Sequence, residues 1–460
     1  MAATVLAAAF WLMAWQLAAV AIGQKLFLVG PVEVCRTLVR LMGTGQFWAT
    51  VSFSTGRIVG GFALGLAAGT ALAGLAAAVP FVAVLLRVPM VTVRSIPVAS
   101  FIVLALVWLR SAGNLAVFIS FLIVLPVVYT NVLKGLSGVD GQLLEMARVF
   151  RFTRWGKVKN LYIPAAWPYF DAAARVSVGL CWKSGVAAEV IGITAGSIGE
   201  QLYDAKLLFD TAGLLAWTAV IVALSLVFEK VFLRFLAALR KVLFRVTGPV
   251  TAPAGGVPEA VGLSEVTMAY GGQVVLARCT VRFPKARPTC VMAPSGRGKT
   301  TLLRVLLGLA QPQAGRADTG GAAIAAAFQE DRLLDWLSAR DNVRLVCGAG
   351  QEALNAAFEA VGLTAADADK RADELSGGQR RRVAVLRAVL ADGAGAVVLD
   401  EPFKGLDDAA RARTAAFVKA RCAGRPLAVV THEEQDAALL DAQVVRLPCP
   451  GGADPKVPPA

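Results

Sequence analysis

The residues with the clearest capacity for chemistry lie in a Gly-rich segment, Ala293-Pro294-Ser295-Gly296-Arg297-Gly298-Lys299-Thr300-Thr301. An apolar run at 290–292 precedes it, and a helix-forming run at 302–307 follows it. In a strand followed by a Gly-rich turn and a helix, the backbone N–H groups of the turn and the positive end of the helix point at a bound anion. The segment is therefore predicted to bind nucleotide phosphates, with Lys299 at the β- and γ-phosphates and the Thr300 hydroxyl on Mg²⁺. Ala293 stands where this motif has Gly, which predicts a modest penalty if the turn needs a positive φ there.

Two adjacent carboxylates, Asp400 and Glu401, end an apolar run at 396–399. A carboxylate at the end of a buried strand can hold a metal ion with little motion, and the next residue then faces water. Phosphoryl transfer needs mainly such positioning and electrostatic stabilisation, because its transition state spreads negative charge over the phosphate oxygens. These two side chains are candidates for that work.

Two further polar features lie in the same half of the chain. In the stretch Ser376-Gly377-Gly378-Gln379, the glycines leave N–H groups open to a phosphate, and the helix that follows supplies a positive end. His432, the single histidine, follows an apolar run at 427–430 and precedes two glutamates. The basic run at 380–382 is predicted to be a solvated helix face.

The elements that must position these residues are short strands alternating with helices. Apolar, strand-like runs occur at 274–276, 289–292, 396–399 and 427–430, and helical patterns separate them. This alternation predicts an α/β domain with a largely parallel sheet.

Taken together and in this order, the phosphate loop, Leu375-Ser-Gly-Gly-Gln379 and Val397-Val-Leu-Asp-Glu-Pro402 make residues 261–447 resemble the ATPase domain of ABC transporters. The resemblance implies that Asp400 and Gln329 hold Mg²⁺ with Thr300, and that Glu401 polarises the attacking water. It implies that Tyr270 stacks on adenine and that His432 lies near the γ-phosphate.

The same resemblance implies that two chains cooperate. In this family the Ser376 motif completes the nucleotide site of a partner, and Asp407 crosses between the two ATPase domains, although Gly405 stands where Ala is more usual. One chain has one phosphate loop and one such motif. A homodimer that holds two ATP molecules is therefore expected.

The first half of the chain is apolar and basic. Of all residues, 57% are hydrophobic and 17% charged. Residues 1–250 contain 21 Lys and Arg against 9 Asp and Glu, whereas residues 251–460 contain 25 against 23. An excess of basic residues between apolar runs indicates a membrane surface rather than nucleic acid. Seven scattered cysteines without a C-x-x-C pair indicate neither a zinc site nor a disulfide framework.

Six membrane spans are predicted, at 2–22, 58–79, 88–109 with a bend at Pro97, 114–133, 169–192 and 212–235. Residues 31–57 are amphipathic and are interrupted by Gly43 and Gly45, which favours an interfacial helix. Basic loops after spans four and six place both chain ends in the cytoplasm. Arg36, Arg40 and Arg57 then fall in an outer loop, where they are expected to snorkel.

The stretch from Glu145 to Pro164 resembles the coupling loop of ABC importer permeases. The residues that carry the match are Glu145, Ala147 and Pro164, with Met146 in place of an Ala and Arg151 in place of a Gly. The resemblance implies a short helix docked on the ATPase beside Gln329. Basic and aromatic residues are predicted to form the wedge, namely Arg148, Arg151, Arg154 and Trp155.

The predicted fold class is multi-domain, an all-α six-span transmembrane permease followed by an α/β P-loop NTPase domain of the ABC ATPase kind. The predicted boundaries are a permease at 1–246 with its coupling loop at about 140–164, a Pro/Gly-rich linker at 247–260, the ATPase domain at 261–447 and a disordered tail at 448–460. Lys183 and Glu189 lie within the fifth span. Both are predicted to line the translocation path. For Lys183, pairing across the dimer and bracing of the helix bundle remain open as alternatives.

The permease half, with Leu104-Ala-Leu-Val-Trp-Leu109 and Ala187-Ala-Glu189, resembles nitrate/sulfonate/taurine-type importers. The resemblance implies ATP- and Mg²⁺-dependent import of a small anion across the cytoplasmic membrane, with an extracytoplasmic solute-binding protein as partner. Import of a pyrimidine or thiamine precursor is an alternative. An exporter half-transporter and a regulatory ATPase that moves nothing also remain open.

Overall fold

The computed structural model describes residues 2–24, 26–109, 112–252, 255–294 and 297–447; the side chains of residues 2–5 and of Ala8 are outside this description. The chain forms two compact units. The first contains Met1–Gly138 and Ala165–Leu243, and the second contains Val139–Pro164 and Phe244–Ala460. The segment 139–164, which interrupts the first unit in sequence, therefore belongs with the ATPase region. The predicted tail at 448–460 lies outside the described residues.

The part of the chain up to residue 243 is helical, in agreement with the predicted all-α half. A 3₁₀ turn at Ala112–Asn114 and a π-helical turn at Val158–Tyr162 accompany the α-helices. These are α1 (Ala2–Ile22), α2 (Pro31–Met42), α3 (Gly45–Ala78), α4 (Pro80–Ser95), α5 (Val98–Trp108), α6 (Leu115–Ser137), α7 (Gly141–Val149), α8 (Arg154–Lys157), α9 (Ile163–Gly192), α10 (Ile198–Leu207) and α11 (Thr211–Leu243).

Among the described residues, three helices are long and apolar enough to cross a membrane, namely α3, α6 and α11. The pair α4 and α5 would add a fourth if it counts as one span, although it is bent by 108°. The apolar part of α1, Ala9–Ile22, is shorter. The fifth predicted span lies in α9, which is long but carries Asp171, Arg175, Lys183 and Glu189 and is not among the three.

Two boundaries in this unit differ from the sequence prediction. The expected interfacial helix at 31–57 is split at Gly43 and Thr44, so α2 ends there and residues 45–57 begin the long helix α3. Arg57 consequently lies within a helix, stacked 4.0 Å from the centre of the Phe53 ring, rather than in a loop. The bend expected at Pro97 is a break of 108° between two helices, where Ile96 and Pro97 both have non-helical backbone.

A stripe of small residues brings α3 and α6 together. A Cβ on Gly61 would lie 2.4 Å from the carbonyl oxygen of Val117, and one on Gly69 would lie 2.9 Å from that of Leu125. Helices that approach this closely need residues without side chains at the contact. Gly61, Gly65 and Gly69, at four-residue spacing, therefore set the packing of these two helices.

Glu189 lies in the interior of this unit, and its predicted place on a translocation path stays a prediction. Its side chain is fully buried, and it accepts hydrogen bonds from Ser54 Oγ at 2.8 Å and from the N–H of Gly199 at 3.3 Å. Ser54 Oγ accepts in turn from the N–H of Ile198 at 2.9 Å. The carboxylate thus links α3 and α9 to the first turn of α10. Lys183, on the same helix α9, is exposed.

The second unit contains the predicted α/β domain with two sheets. A parallel sheet has the order β5-β6-β7-β3-β8, and an antiparallel one has the order β2-β1-β4. All four predicted strand runs are confirmed. The strands are β1 (Ala260–Tyr270), β2 (Gln273–Pro284), β3 (Thr289–Met292), β4 (Ala314–Asp318), β5 (Ile324–Ala327), β6 (Ala396–Asp400), β7 (Leu427–Thr431) and β8 (Gln443–Arg446).

Helices cover the parallel sheet, whose strands β3, β5, β6 and β7 are buried along their whole length, as parallel strands usually are. The helical predictions from the second half are confirmed in α12, which includes most of the run at 302–307. The helices are α12 (Lys299–Leu306), α13 (Ala339–Arg344), α14 (Gln351–Ala360), α15 (Ala365–Asp369), α16 (Gly377–Val389), α17 (Asp408–Cys422) and α18 (Glu434–Leu439).

Candidate functional site

The candidate site lies at the carboxyl edge of the parallel sheet. Strands β5, β6, β7 and β3 are neighbours, and parallel strands end at the same edge. Gln329 follows β5, Glu401 follows β6, His432 follows β7 and the phosphate loop follows β3. Residues more than 100 positions apart in sequence, from the phosphate loop to His432, therefore meet at one edge.

The phosphate loop has the predicted strand–turn–helix form. Gly298 is the N-cap of α12 and has φ +81°, a left-handed value that suits glycine. The Lys299 ammonium donates to the carbonyl oxygen of Ala293 at 2.5 Å, so the side chain folds back over the loop. Ala293 is buried and is not among the residues with positive φ. The expected backbone penalty at Ala293 is therefore absent.

The remaining phosphate-loop residues differ in exposure. Pro294, Arg297 and Thr300 are exposed, and Thr301 is half-buried. Ser295 and Gly296, which were also predicted to bind ATP, lie outside the described residues. Tyr270, the predicted adenine partner, ends β1 and is 48% exposed, so its ring is open to a ligand.

Asp400 and Glu401 have different electrostatic environments. Burial, and then the charge of Glu401, raise the pKa of Asp400 to about 6. Burial also acts to raise the pKa of Glu401, but the Lys404 ammonium at 3.0 Å, with His432 and Lys299, holds that pKa below its usual value. His432 Nδ1 lies 3.5 Å from Glu401 Oε1. Glu401 is therefore an ionised carboxylate beside the imidazole. Asp400 is a buried carboxyl group whose charged form a nearby cation would stabilise.

The residues at this edge fit Mg²⁺. Thr300, Gln329 and Asp400 line one pocket of about 460 Å³ and offer hydroxyl, amide and carboxylate oxygens. Mg²⁺ prefers such oxygen ligands and commonly keeps waters and substrate phosphates in its remaining positions. In the described ranges, no cluster of three or more His, Cys, Asp and Glu could hold a metal by itself. A shared site completed by nucleotide phosphates suits this donor set.

The Ser376 stretch forms the start of α16. Ser376 is the N-cap, and its side chain and that of Gln379 cap each other's backbone N–H groups. Ser376 and Gly377 are exposed, while Gly378 packs so that a Cβ would lie 3.3 Å from the carbonyl oxygen of Gly405. The positive end of α16 is thus presented to solvent, as a helix that binds an external anion must be.

Gly405 occupies a turn that explains its presence. It has φ +75°, so any other residue there would be strained. Two residues later, Asp407 is exposed and caps α17 by accepting from the N–H of Ala410 at 2.8 Å. The turn and the cap fix the loop that carries Asp407, and the predicted contact of Asp407 with a partner stays a prediction.

The run at 380–382 is not a solvated face, and that prediction was wrong. Arg381 is 4% exposed and binds backbone at the ends of β5 and β6. Arg380 pairs with Asp335 at 2.9 Å, and Arg382 donates to the carbonyl of Gly362 at 2.8 Å. Three arginines in sequence point in different directions around a helix, so they cannot share one solvated face.

A short helix docks beside the site, as predicted. α7 begins at the N-cap Asp140 and carries Glu145, which accepts from Arg304 at 2.6 Å and from Arg332 at 3.0 Å. Burial acts to raise the pKa of Glu145, but the two guanidinium groups together hold it below its usual value. Asp140 and Glu145 line the same pocket as Thr300, Gln329 and Asp400. One continuous pocket therefore runs from the candidate Mg²⁺ ligands to α7.

The residues predicted to form the wedge are not those that make the contact. Trp155 is 70% exposed, and Arg148, Arg151 and Arg154 are exposed as well. Apolar residues of the segment enter the core of the second unit instead. They are Met146, Ala147, Val149, Phe150, Phe152 and Leu161, and Pro164 at the end of the segment is also buried.

The stretch predicted as a linker is tied to this segment. The N–H of Thr153 donates to the carbonyl of Val250 at 2.9 Å, and the N–H of Ala252 donates to that of Arg151 at 2.9 Å. The N–H of Val250 donates to the carbonyl of Leu345 at 2.9 Å. Residues 250–252 thus join the coupling loop to the ATPase region. Composition alone could not show this, because Pro/Gly-rich stretches are usually flexible.

Comparison with known families matches both halves of the chain. The family model described as ABC transporter matches residues 276–404. The family model described as binding-protein-dependent transport system inner membrane component matches residues 61–242. The aliphatic sulfonates import ATP-binding protein SsuB 1 of Rhizobium johnstonii is 36% identical over 204 residues, 41% of this chain and 74% of that protein.

Other similar proteins include a second import ATP-binding protein and a solved cassette structure. The thiamine import ATP-binding protein ThiQ of Mesorhizobium japonicum is 36% identical over 212 residues, 42% of this chain and 81% of that protein. A solved dimeric structure of a bacterial ABC transporter cassette is 26% identical, covers 41% of this chain and 94% of its own, and has a TM-score of 0.36.

Proposed function

Because this chain belongs to the ABC transporter family, with a binding-protein-dependent permease domain followed by an ABC ATPase domain, we propose that it imports a small solute by hydrolysing ATP. The working transporter is a homodimer in the cytoplasmic membrane, and an extracytoplasmic binding protein delivers the solute. The solute is a small organic or inorganic anion such as a sulfonate, taurine or nitrate.

The pocket shared by α7 and the candidate Mg²⁺ ligands carries this proposal. Glu145 contacts Arg304 of α12, the helix that begins at the phosphate loop, and Arg332, three residues after Gln329. A change in the nucleotide site that moves Gln329 or α12 therefore moves the partners of Glu145. A regulatory ATPase that moves nothing has no need for this contact.

The chain's own residues account for hydrolysis. Lys299 is placed over the loop to meet phosphate oxygens, and the N–H groups at the start of α12 face the same anion. Thr300, Gln329 and Asp400 would hold Mg²⁺, which would supply positive charge to stabilise the nucleotide phosphates. Glu401, kept ionised by Lys404 and His432, orients the attacking water and accepts its hydrogen bond.

The homodimer rests on the exposure of the Ser376 stretch. Ser376 and Gly377 lie at the open end of α16, where they are available to the γ-phosphate of ATP bound to a second chain. Two identical sites then form between two chains. Closure on ATP and opening after hydrolysis would be passed to the membrane helices through α7.

The direction of transport and the class of solute are supported by the relatives. Both named relatives are import ATP-binding proteins, one for aliphatic sulfonates and one for thiamine. The thiamine relative makes a pyrimidine vitamin or its precursor the second candidate solute. An exporter is less well supported, because the permease match is to a binding-protein-dependent inner membrane component.

The test measures ATP hydrolysis and uptake with the full-length protein. In purified protein in lipid nanodiscs, Glu401→Gln should lower kcat for ATP by at least about 100-fold, because it removes the carboxylate that orients water while leaving nucleotide binding intact. A matched control is Glu434→Gln, an exposed neighbouring acidic residue that pairs with Arg446. It should retain near wild-type kcat.

Direction and solute are tested in cells that express the chain with candidate binding proteins. ATP-dependent accumulation of radiolabelled taurine, an alkanesulfonate, nitrate or thiamine is measured for wild type and Glu401→Gln. Accumulation that depends on Glu401 supports import and identifies the solute. Glu401-dependent loss of preloaded solute would instead establish export. Retained ATP hydrolysis in Glu401→Gln would overturn the assigned chemistry.

A further inference from the structure

Arg381 carries a buried positive charge into the interior of the ATPase unit. It lies in α16, five residues after the N-cap Ser376, and its side chain is 4% exposed. A buried charge is costly unless hydrogen bonds and an opposite charge compensate it. The partners of Arg381 therefore show what the rest of the unit gains from placing it there.

Every N–H group of the Arg381 guanidinium has a partner. Nε donates to the carbonyl of Glu401 at 3.1 Å, and Nη2 donates to the same oxygen at 2.9 Å and to the carbonyl of Asp400. Nη1 donates to the carbonyl of Phe328 at 2.5 Å and to Asp331 Oδ1 at 3.1 Å. An arginine side chain has five N–H donors in a rigid plane, and here all five are used.

These acceptors lie on both sides of the candidate site. The carbonyls of Asp400 and Glu401 belong to the end of β6, and Phe328 and Asp331 bracket Gln329 after the end of β5. One planar group therefore fixes the separation between Gln329 and the two carboxylates. Glu401 itself has φ +48°, a strained value for a residue with a side chain, so its backbone needs such support.

We propose that Arg381 is a positioning residue for ATP hydrolysis, holding Gln329, Asp400 and Glu401 in register with one another and with the helix that begins at Ser376. This inference rests on the proposed function, because it assigns Arg381 to the site that hydrolyses ATP. Its consequence is directional. A contact made by Ser376 with the nucleotide of a second chain is transmitted through α16 to Glu401 of its own chain, which links the two sites of the dimer.

Arg387, further along α16, does not take part in this set of contacts with the strand ends. It is fully buried and donates to the carbonyls of Asp331 and Arg332 at 2.9 and 2.8 Å. Its guanidinium lies 5.3 Å from the centre of the Phe150 ring, so it faces the coupling segment rather than the strand ends. Arg381 alone of this pair binds the backbone of both β6 and the β5 end.

The experiment compares two substitutions at this position in the full-length protein. Arg381→Gln removes the charge and most of the five N–H donors. Arg381→Lys keeps the charge but has three donors on a single nitrogen. ATPase kcat and KM are measured per nucleotide-binding site, with sites counted by a fluorescent ATP analogue in EDTA. We expect kcat to fall about 10- to 100-fold in Arg381→Gln and less in Arg381→Lys, with analogue affinity within about twofold of wild type.

The matched control is Arg340→Gln, which also removes a buried arginine. Arg340 is 4% exposed and binds Asp369 at 2.9 Å and Asn355, away from the strand ends. It should lower the melting temperature without changing kcat per site. A loss of stability therefore cannot by itself imitate the effect expected at Arg381.

The outcomes separate this inference from the proposed function. If Glu401→Gln abolishes hydrolysis while both Arg381 variants keep kcat per site within about twofold of wild type, the positioning role fails and the function stands. If Glu401→Gln remains active, the proposed chemistry itself fails. If neither Arg381 variant binds nucleotide, the role of Arg381 is structural alone and the inference is overturned.

Discussion

At the scale of single residues, the candidate site combines short local segments with partners far away in the sequence. The phosphate loop and the Asp400-Glu401 pair each lie on a short segment, a strand end followed by a turn. Arg381 depends instead on distant parts of the chain. Arg381 meets Phe328 and Asp400, 53 and 19 positions away, and nothing in the sequence around it reveals those partners.

Asp400 gives a prediction for stability and pH. Burial and the Glu401 charge raise its pKa from 3.8 to about 6, so the folded protein binds this proton more tightly than the unfolded chain. Its contribution to stability is present below pH 3.8 and is lost as the pH rises toward 6. Asp400→Asn removes the charge and should stabilise the nucleotide-free protein at pH 7.5 by about 3 kcal/mol, given about 1.4 kcal/mol per pKa unit.

The measurement is the melting temperature of full-length wild type and Asp400→Asn without nucleotide or Mg²⁺, from pH 7.5 down to pH 4. The advantage of Asp400→Asn should shrink as the pH falls, because the wild-type carboxyl then becomes protonated. A difference that is constant across this range would contradict the raised pKa. Asp408→Asn, at an exposed position near the start of α17, serves as the control with little expected change.

Arg151 gives a prediction about backbone strain. It has φ +53° directly after the end of α7, where the N–H of Phe152 donates to the carbonyl of Ala147 at 2.8 Å. A left-handed residue at this position closes many helices and is usually Gly. Arg151→Gly should therefore raise the free energy of unfolding by about 1 kcal/mol. Arg154→Gly, at an exposed position in α8 outside the left-handed region, should lower it when both are compared by thermal melting.

At the scale of elements, strands were easier to predict than helix boundaries. Runs such as 289–292 and 427–430 are apolar along their whole length and match β3 and β7. The glycines at 43 and 45 indicated a break, yet residues 45–57 were grouped with the amphipathic stretch before them rather than with α3. The linker was the least predictable element, since its order comes from hydrogen bonds to residues about 100 positions away on either side.

The linker gives a prediction at this scale. The N–H of Ala252 is one of two ladder bonds that hold the coupling loop, and Ala252→Pro removes it. We expect the free energy of unfolding to fall by about 1 kcal/mol and proteolysis within residues 139–164 to become faster. Thr251→Pro is the matched control, because the N–H of Thr251 is not part of this two-bond ladder. Equal protection of the coupling segment in both variants would argue against the tie.

At the scale of the whole molecule, the division of the chain differs from the simplest interpretation of its sequence. The apolar half and the nucleotide-binding half are each compact, but residues 139–164, which lie between membrane-type helices in sequence, are part of the ATPase unit. The coupling-loop resemblance pointed to this docking. The resemblance did not identify the residues that make this contact. Apolar residues of the segment and Glu145 contact the rest of the unit, whereas the arginines expected to do so are exposed.

Glu145 therefore carries the last prediction, on the coupling of hydrolysis to transport. Glu145→Ala leaves Asp400, Glu401 and the phosphate loop in place but removes the carboxylate between Arg304 and Arg332. ATP hydrolysis by the purified full-length protein should persist within about threefold of wild type, whereas solute accumulation in cells should fall at least tenfold, because Glu145 joins α7 to both sides of the nucleotide pocket. Arg148→Ala, an exposed substitution on the same helix, should retain both activities. If Glu145→Ala transports normally, the ion pairs with Arg304 and Arg332 only stabilise the unit; if it loses hydrolysis and transport in equal proportion, Glu145 supports the nucleotide site rather than the transmission of its movement.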